Sequence, residues 1–506
     1  MLINKSDYIR WRECSKNAWL KIHRPDIFYS FELSDFEKGL MKTGNEVDKL
    51  SQRYIPDGKI FHIGDVQESK KVVEKRVPVL YHPVFETDKY RAICDILVLE
   101  KTTGMYHLYE VKASTIDGVM KTKKKREQYT YDVEFQKQVL LDNDVPLADI
   151  FLLLVNNKYV FDSTLNVPEF FIPLKVDGNM KQNDTIQSIN EDIDDIRMNM
   201  EEAYFELIQS EEPIGPCACL YKPRKNHCLT SIYSIPNIPE YSVHDIVRIK
   251  TQKIQHLIDN HIIAIEEVPV DFSLTNIQKQ QVDTAQSNEE KIDIPALRVF
   301  IKECIYPLAF LDYETCPLAV PCYNGYHPYD QIPFQFSLHI LYKEGTLEHK
   351  EFIHMEDSPP DLPFLETLTN FLTESGSIFV WNQQFELGIN KDLARRNPKY
   401  IEYVEAIRQR VVDLIVPFKQ LHWVHPAFKG KTSIKYVLPA IIHSLSYKDL
   451  EVQDGAAAAE TWKKIAYSNL PAVKKETLKQ NLLDYCKQDT KAMYLIYKEM
   501  EKRCAT

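Results

Sequence analysis

The sequence lacks the features of a secreted or membrane-embedded protein. None of its apolar runs approaches the roughly 20 residues that a membrane-spanning helix needs. The N-terminus, Met-Leu-Ile-Asn-Lys-Ser-Asp-Tyr, lacks the apolar core of a signal peptide. Ten cysteines in 506 residues, most of them scattered, do not suggest a disulfide scaffold. We therefore expect a cytoplasmic protein that does not bind membranes.

The chain also lacks an excess of positive charge. Its formal net charge is −11, so it cannot hold nucleic acid by bulk electrostatic attraction. Contact with phosphates would need local basic strips, such as residues 121–126 beside Tyr129 and Tyr131. Such a strip is by default a solvated loop. A content of 44% hydrophobic and 27% charged residues is ordinary for a soluble globular protein, and this length allows two or three domains.

Alternating helical and strand patterns predict an α/β protein. Ser34 followed by Glu37 predicts a capping box at the start of the second helix. In the first half of the chain, the predicted elements are two helices over 1–60, strands over 76–85, 90–99, 106–112 and 150–155, and helical segments over 132–142, 185–212, 241–268 and 273–293.

The second half predicts a further α/β domain. Its predicted elements are strands over 308–315, 334–342, 350–354 and 377–382, an apolar element over 411–418, and helices over 362–373, 430–438 and around 483–493. We therefore expect an N-terminal domain over 1–235, a helical connector over 236–295 and a C-terminal domain over 296–506.

The run from Leu308 to Thr315, Leu-Ala-Phe-Leu-Asp-Tyr-Glu-Thr, predicts a buried strand that ends in two acids. Asp312 and Glu314 are two residues apart, so their side chains point to the same face of a strand. Two carboxylates held so closely repel each other and are costly to desolvate, and a divalent cation relieves both problems. The simpler alternative is a strand edge with two solvated acids, so the pair needs partners from elsewhere.

Later segments supply candidate partners for these acids. Glu386 follows a predicted strand, at the start of a helix that begins after Asn382. Tyr485 and Asp489 are four residues apart and share one face of a late helix. Acids from a first strand, a strand–helix junction and a late helix can converge at one edge of a sheet. There they would hold two Mg²⁺ or Mn²⁺ ions, with the tyrosine orienting the attacking water.

The N-terminal part contains a second candidate centre. Asp95 lies in one arm of a predicted hairpin and Glu110 in the other, and antiparallel pairing would bring the two acids side by side. Asp95 and Glu110 could together hold a metal ion. Lys112 shares a face with Glu110 and could polarise a phosphate or the attacking water. Gln136 lies on the following helix, one turn after Asp132. The simpler alternative is an exposed hairpin with salt bridges.

Three cysteines within a short segment indicate a further metal site. Cys217, Cys219 and Cys228 are surrounded by Pro, Lys and Arg residues, which make a poor hydrophobic core. The fourth ligand must come from elsewhere, and Cys14 and His227 are the candidates. The alternative is three incidental buried cysteines.

The C-terminal third resembles the DEDD superfamily of 3′–5′ exonucleases, which have the ribonuclease H-like fold. Asp312-x-Glu314 matches the first motif of that superfamily, and Tyr485-x-x-x-Asp489 matches the third in its tyrosine form. The segment from Asn382 to Glu386 matches the second motif, with glutamate where the superfamily usually has aspartate. The resemblance implies a two-metal exonuclease.

Residues 1 to about 230 resemble the RecB-type PD-(D/E)xK nucleases, especially the CRISPR-associated exonucleases, which have a restriction-endonuclease-like fold. Asp95, Glu110 and Lys112 match their core motif, and Gln136 falls near their helix glutamine. The upstream histidine of that family is not found, and Asp48 lies in the similar sequence context.

The same resemblance implies an iron–sulfur cluster. Those exonucleases carry one early and three late cysteines that hold a [4Fe–4S] cluster, and the similar set here is Cys14, Cys217, Cys219 and Cys228. The Cys-x-Cys spacing is tighter than is usual in that family, and structural Zn²⁺ is the alternative.

Nearly the entire chain looks like the bacterial family called domain of unknown function 2779. We expect a metal-dependent nuclease that acts on DNA, as a single-strand or end-directed exonuclease, in DNA repair or phage defence. The alternatives are a nucleic-acid-binding scaffold with a degenerate exonuclease domain and an RNA-trimming exonuclease.

Overall fold

The computed structural model describes residues 1–31, 34–176 and 196–505, except the side chain of residue 35. The chain is a mixed α/β protein with two compact units. The first unit comprises Met1–Leu220, Asn226–Pro236 and Ala319–Tyr329, and the second comprises Tyr221–Lys225, Asn237–Leu318 and Asp330–Thr506. Residues 237–295, predicted as a connector, lie within the second unit. Among the described residues, no helix is both long enough and apolar enough to cross a membrane.

The first unit contains two sheets flanked by helices. Its strands are β1 (Ile3–Asn4), β2 (Lys59–Ile60), β3 (Val79–Tyr81), β4 (Val84–Glu86), β5 (Tyr90–Ile93), β6 (Ile96–Glu100), β7 (Met105–Thr115), β8 (Leu147–Val155) and β9 (Phe171–Lys175). Its helices are α1 (Lys5–Glu13), α2 (Ser15–His23), α3 (Pro25–Phe28), α4 (Asp35–Tyr54), α5 (Val66–Glu74), α6 (Ile116–Met120), α7 (Lys123–Leu141), α8 (Val167–Phe170), α9 (Ile196–Leu207) and α10 (Ser231–Ser234). The larger sheet has the order β2-β3-β6-β7-β8-β9, and the smaller has the order β1-β5-β4.

Two of the predicted strands are each divided. The segment 76–85 breaks between β3 and β4 at His82, whose φ is 56°, and the segment 90–99 breaks between β5 and β6 at Cys94 and Asp95. The chain changes sheets at both breaks, since β3 pairs with β6 in the larger sheet and β4 pairs with β5 in the smaller one. The His82 amide donates to the Asp95 carbonyl at 3.0 Å, so the two breaks lie side by side.

The helical predictions for the first unit are correct in part. The capping box is confirmed, because the Glu37 amide donates to Ser34 Oγ at 3.2 Å and the Ser34 amide donates to Glu37 Oε2 at 2.8 Å. Within residues 1–60, the described part of the chain forms four helices rather than two, with Cys14 separating α1 from α2. Residues 123–126 of the basic strip form the first turn of α7 rather than a loop, and residues 121 and 122 precede that helix. Of the predicted helical segment 185–212, residues 185–195 lie outside the described residues and α9 confirms the rest in part.

The second unit is built around a five-stranded sheet. Its strands are β10 (Lys291–Ile292), β11 (Leu308–Pro317), β12 (Gln331–Leu341), β13 (Leu347–Ile353), β14 (Ile378–Val380), β15 (Val411–Asp413) and β16 (Trp423–Val424). Its helices are α11 (Thr251–Asp259), α12 (Asn276–Ser287), α13 (Ile294–Lys302), α14 (Asp361–Phe371), α15 (Gln383–Arg396), α16 (Ile401–Arg408), α17 (Val416–Lys419), α18 (Ile434–Ile441), α19 (Gly455–Tyr467) and α20 (Ala472–Ala505). The strand order is β13-β12-β11-β14-β15, with β10 and β16 pairing separately.

The predicted strand at 308–315 becomes the central strand of this sheet. β11 runs antiparallel to β12 and parallel to β14, and β14 runs parallel to β15. Aliphatic and aromatic side chains of β11, β12, β14, α14 and α15 form one core cluster. The predicted helical hairpin at 241–268 is correct in part of its first arm, where Thr251–Asp259 is α-helical. Its second arm is wrong, because that stretch contains only the 3₁₀ turn Ile265–Glu267. The apolar element at 411–418 divides into β15 and α17.

A histidine–threonine contact joins α20 to the sheet. Thr490 Oγ1 lies 2.8 Å from Ser337 Oγ and 2.8 Å from His339 Nδ1. The ring centroids of His339 and His349 lie 4.4 Å apart. Burial lowers the pKa of His339 to about 3 and that of His349 to about 4, so both rings are neutral in the folded chain at neutral pH.

Acidification should weaken this contact. An unfolded histidine has a pKa of about 6.5, so below that pH the unfolded chain binds more protons than the folded chain and stability falls. Between about pH 7.5 and pH 5, we expect the wild-type chain to lose about 1–2 kcal/mol more free energy of unfolding than His339→Gln loses. Urea denaturation of both proteins at the two pH values measures this difference. Equal pH dependence in the two proteins would contradict the expectation.

Candidate metal centres

Two acids on β11 begin the candidate centre of the second unit. Asp312 pairs with Ser337 and Glu314 with Gln335 in the β11–β12 register, and the ladder is irregular immediately after Glu314. One carboxylate oxygen of Asp312, one of Glu314 and the Cys486 sulfur all lie within 4.8 Å of one another. Glu314 is only 6% exposed. The strand therefore holds both acids together, away from water.

Helix α20 brings the third acid to the same place. Asp489 and Tyr485 are buried on α20, which packs against β11 and β12. Tyr447 donates its phenol hydrogen to Asp489 Oδ1 at 2.5 Å, and its ring lies 6.2 Å from that of Tyr485. Burial raises the pKa of Asp489 to about 6, although Tyr447 and Lys435 both favour its charged form. Sequence reasoning missed Tyr447, which lies in a loop without a spacing signal.

Glu386 lies at the start of α15 and acts on Asp312 through its charge. The close cluster of possible ligand atoms contains Asp312, Glu314 and Cys486, but neither Glu386 nor Asp489. The helix begins after Asn382, whose φ is 95° and whose amide donates to Asp413 Oδ1 at 3.0 Å. Glu386 is 3% exposed, and its Oε2 has no hydrogen-bond partner among the described residues. Burial, and secondarily Asp413, raise the pKa of Glu386 to about 8. A buried carboxylate oxygen without a donor is an atom that a cation would satisfy.

The four acids behave electrostatically as one group. Burial raises the pKa of Asp312, and the charges of Asp489, Glu314 and Glu386 raise it further. Burial also raises the pKa of Glu314, with Asp489 as the next contribution. The positive charge of Lys435 opposes this effect, because it lowers the pKa of both Glu314 and Asp489. Oxygen ligands with this excess of negative charge fit Mg²⁺ or Mn²⁺.

In the first unit, the predicted acids meet at the strand break. Asp95 lies immediately before β6, and its Oδ2 accepts a hydrogen bond from the Val111 amide at 2.7 Å. Glu110 on β7 is 1% exposed. Burial, and next the charge of Glu110, raise the pKa of Asp95 to about 7. The β6–β7 pairing therefore makes the two acids neighbours, but the cluster of possible ligand atoms that includes Asp95 does not include Glu110, the other predicted metal ligand.

Two lysines and a glutamine surround Glu110. Lys5 Nζ and Lys112 Nζ each lie 2.6 Å from Glu110 Oε1, and Gln136 donates to Glu110 Oε2 at 2.7 Å. Lys112 also lies 2.6 Å from Asp132 Oδ2, and Lys5 lies 3.0 Å from Asp132 Oδ1. Burial opposes the charge on Glu110, but the two lysines outweigh it and hold its pKa below the ordinary range. Lys5 carried no sequence signal, because it precedes the hairpin by a long stretch of chain.

A histidine joins the first centre from the other strand break. One ligand atom each of Asp48, His82 and Asp95 lies within 4.8 Å of the other two. His82 Nε2 lies 3.4 Å from Asp48 Oδ2, and hydrogen bonding to Asp48 raises the pKa of His82. Sequence reasoning found no histidine for this centre. The break at His82 supplies one that neither motif spacing nor strand propensity indicates.

The four cysteines converge in the first unit. Cys14 lies between α1 and α2, while Cys217 and Cys219 lie at a 3₁₀ turn, Ala218–Tyr221. The sulfur atoms of Cys14, Cys217, Cys219 and Cys228 all lie within 4.8 Å of one another, and the Cys228 amide donates to Cys219 Sγ at 3.0 Å. Hydrogen bonds from the other three thiols lower the pKa of Cys14. Of the two candidate fourth ligands, Cys14 belongs to this group and His227 does not.

The spacing of these sulfur atoms bears on the kind of metal. A Zn–S bond of about 2.3 Å places tetrahedral thiolates about 3.8 Å apart, which fits the observed limit of 4.8 Å. A [4Fe–4S] cluster must lie between its four thiolates and holds them further apart than a single ion does. The sulfur positions therefore fit one tetrahedral ion better than a cluster.

Comparison with known proteins gives one match. The family described as Domain of unknown function (DUF2779) matches residues 309–433, from β11 to the residue before α18. No curated protein and no solved structure matches the chain. The expected resemblance to this family is confirmed over the matched residues, which include Asp312, Glu314 and Glu386 but not Asp489.

Proposed function

We propose that the protein is a divalent-metal-dependent nuclease that degrades DNA as a single-strand or end-directed exonuclease. The observation that carries this proposal is the group of the half-buried Asp312 with the buried Glu314, Glu386 and Asp489, four acids with raised pKa values and one unpaired oxygen. Many enzymes bind their catalytic cations with closely spaced carboxylates, which burial would otherwise keep protonated.

The strand order of the second unit supports a ribonuclease H-like fold of the DEDD type. Counted along the chain within the five-stranded sheet, the order is 3-2-1-4-5, with the first three strands antiparallel and the last two parallel to the first. The acids lie on the first strand, at the helix after the fourth strand, and on the last helix. That arrangement is the one the exonuclease resemblance implies.

The side chains around the acids have distinct tasks in this proposal. Asp312, Glu314, Glu386 and Asp489 would hold Mg²⁺ or Mn²⁺, which supplies Lewis-acid stabilisation of the phosphate and lowers the pKa of water. Tyr447 fixes the position of Asp489 through its hydrogen bond. Burial, and next the charge of Asp489, raise the pKa of Tyr485, so its phenol stays protonated and can position water.

The first unit is proposed as a second nuclease centre of the PD-(D/E)xK type. Asp48, His82 and Asp95 would hold a cation, and Lys112 would face the phosphate. Glu110 and Gln136 hold Lys112 and the adjoining strand in place. The first turn of α7 brings a further cation to this centre. Lys125 Nζ lies 3.4 Å from Ser114 Oγ, and Ser114 is two residues after Lys112 on β7. This position supports contact between Lys125 and a phosphate.

The direct test is digestion of end-labelled oligonucleotides by the full chain. Single-stranded DNA, duplex DNA and RNA of one sequence, labelled at either end, report strandedness, polarity and sugar preference. We expect shortening of DNA in Mn²⁺ or Mg²⁺ and none in EDTA, as a role in DNA repair or phage defence would require. Preferential shortening of RNA would replace DNA by RNA as the substrate.

A nucleic-acid-binding scaffold with a degenerate exonuclease domain is the second candidate. It is favoured by Glu386, whose side chain is longer than the aspartate of the resembling exonucleases and whose Oε2 is unpaired. Calorimetry distinguishes the two functions. Tight DNA binding without Mn²⁺ binding would favour the scaffold, whereas Mn²⁺ binding to the acid group favours the nuclease.

We also propose that Cys14, Cys217, Cys219 and Cys228 hold one structural Zn²⁺ rather than an iron–sulfur cluster. Protein purified without oxygen should be colourless and contain about one zinc per chain by mass spectrometry. Cys219→Ser should lose that zinc and lower the melting temperature, because the site joins α1 and α2 to the later turn. Cys322→Ser, at an exposed cysteine, is the matched control. A brown protein with about four irons per chain would establish the cluster instead.

A further inference from the structure

The second unit contains a cavity that the acid group does not use. Its volume is about 690 Å³, and it lies between α12 and the segment from α17 to the start of α18. Tyr241, Phe418, Trp423 and Phe428 are among the residues that line it. A cavity of this size accommodates one small organic molecule with an aromatic ring system.

The charged side chains that line this cavity are basic, although Glu290 lies behind the wall, where its Oε2 is 3.4 Å from Trp423 Nε1. Arg248, Lys419 and Lys431 line it, and no aspartate or glutamate is among the described residues that do so. Arg248 and Lys419 are exposed and make no ion pair within the described part of the chain. In a protein of net charge −11, such a cluster of cations selects an anionic ligand.

The walls of the cavity are aromatic and firmly held. The rings of Phe418 and Trp423 stack at 6.0 Å, and Phe428 meets Phe418 edge-on at 5.7 Å. Gln281 donates to Tyr241 Oη at 3.0 Å and accepts from the Val247 amide at 2.8 Å. The site is therefore largely formed before any ligand arrives.

Glycine is needed at one point of this wall. Gly430 has a φ of +69°, and a Cβ there would come within 2.3 Å of the side-chain amide of Gln281. A larger residue at this position would therefore be strained and would displace the Gln281 side chain.

The cavity also adjoins the strand that leads to Glu386. Trp381 donates from its indole nitrogen to the carbonyl of Thr432, a lining residue, at 3.1 Å, and its ring lies 5.5 Å from that of Phe418. The residue after Trp381 is Asn382, where α15 begins. A ligand in the cavity would therefore lie behind the element that carries Glu386.

We propose that this cavity binds a nucleotide, with the base against Tyr241, the one of these four rings that is not almost fully buried, and the phosphate at Arg248 and Lys419. Aromatic walls accept any base by stacking, and guanidinium and ammonium groups bind phosphate. The ligand is either a free mononucleotide or one nucleotide of a strand. The proposal does not rest on nuclease activity, because nothing in it requires the acid group or a metal.

Calorimetry of the full chain in EDTA tests the proposal, with deoxyadenosine monophosphate, deoxyadenosine, inorganic phosphate and a short 5′-phosphorylated oligonucleotide as probes. We expect the nucleotide to bind at least about tenfold more tightly than the nucleoside or phosphate alone. Arg248→Ala with Lys419→Ala should weaken nucleotide binding about tenfold or more without changing the melting temperature. Lys399→Ala, an exposed lysine that does not line the cavity, should leave binding unchanged.

The two sources of the ligand give different results. Binding of the monophosphate identifies a free nucleotide, whereas binding of the oligonucleotide alone identifies a strand, and both support the site when the double variant weakens them. Absence of binding for every probe, or equal binding by wild type and double variant, overturns the proposal. Because EDTA removes divalent ions, either failure leaves the nuclease proposal standing.

Discussion

Asp312→Asn should lower Mn²⁺-dependent DNA digestion at least about 100-fold in a chain whose first centre already carries Lys112→Met. Asp312 lies at the centre of the acid group, with an oxygen within 4.8 Å of Glu314 and charges of Asp489 and Glu386 acting on it. Asparagine keeps the shape of the side chain but removes the negative charge that binds the cation. The initial rate of release from a labelled DNA end measures the loss.

A stability measurement separates this effect from misfolding. Burial and neighbouring acids raise the pKa of Asp312, so its charged form destabilises the metal-free fold above that pKa. Asp312→Asn should therefore raise the melting temperature in EDTA and abolish most of the further rise that Mn²⁺ produces in the parent chain. Asp484→Asn, at an exposed acid on α20, the helix that carries Asp489, should change neither quantity. An unchanged Mn²⁺-induced rise in Asp312→Asn would show that the acids do not bind the ion.

The acid group of the second unit could be predicted because each of its members lies at the end or on the face of a regular element. Asp312 and Glu314 share the strand period, and Tyr485 and Asp489 share the helical period, so local spacing alone places each pair. Tyr447 could not be predicted in this way. It lies in a 3₁₀ turn, Tyr447–Asp449, and reaches Asp489 only because of how α20 packs on the sheet.

The first centre was less predictable for a physical reason. Strand propensity describes 76–85 and 90–99 as two continuous strands, but both change sheets part-way, and such a change depends on long-range packing rather than on local preference. His82 and Asp95 are the residues at those changes. Lys5 reaches Glu110 from the beginning of the chain, so no motif could have included it.

Lys112→Met should both destabilise the first unit and inactivate its proposed centre. Lys112 lies 2.6 Å from Glu110 and 2.6 Å from Asp132, so its loss leaves two buried acids with Lys5 as their remaining cation. Breaking a buried ion pair from one side costs about 3–5 kcal/mol, and Lys5 should reduce this to about 2–3 kcal/mol. Because the pKa of Glu110 should rise in the variant, the deficit in stability should shrink as the pH falls. Urea denaturation at several pH values measures the deficit.

Lys5→Met is the matched variant that distinguishes support from catalysis. Lys5 contacts the same oxygen of Glu110 at the same distance as Lys112, so its removal should cost a similar free energy of unfolding. Lys59→Met, at an exposed pair with Glu68, should cost less than about 0.5 kcal/mol. The rates of DNA digestion are measured well below the melting temperatures, and every chain also carries Asp312→Asn so that only the first centre is active. Under these conditions Lys112→Met should lower the rate at least about 100-fold, and Lys5→Met much less. Equal losses of rate would mean that the lysines only balance the charge of the acids, and the phosphate-facing role of Lys112 would be withdrawn.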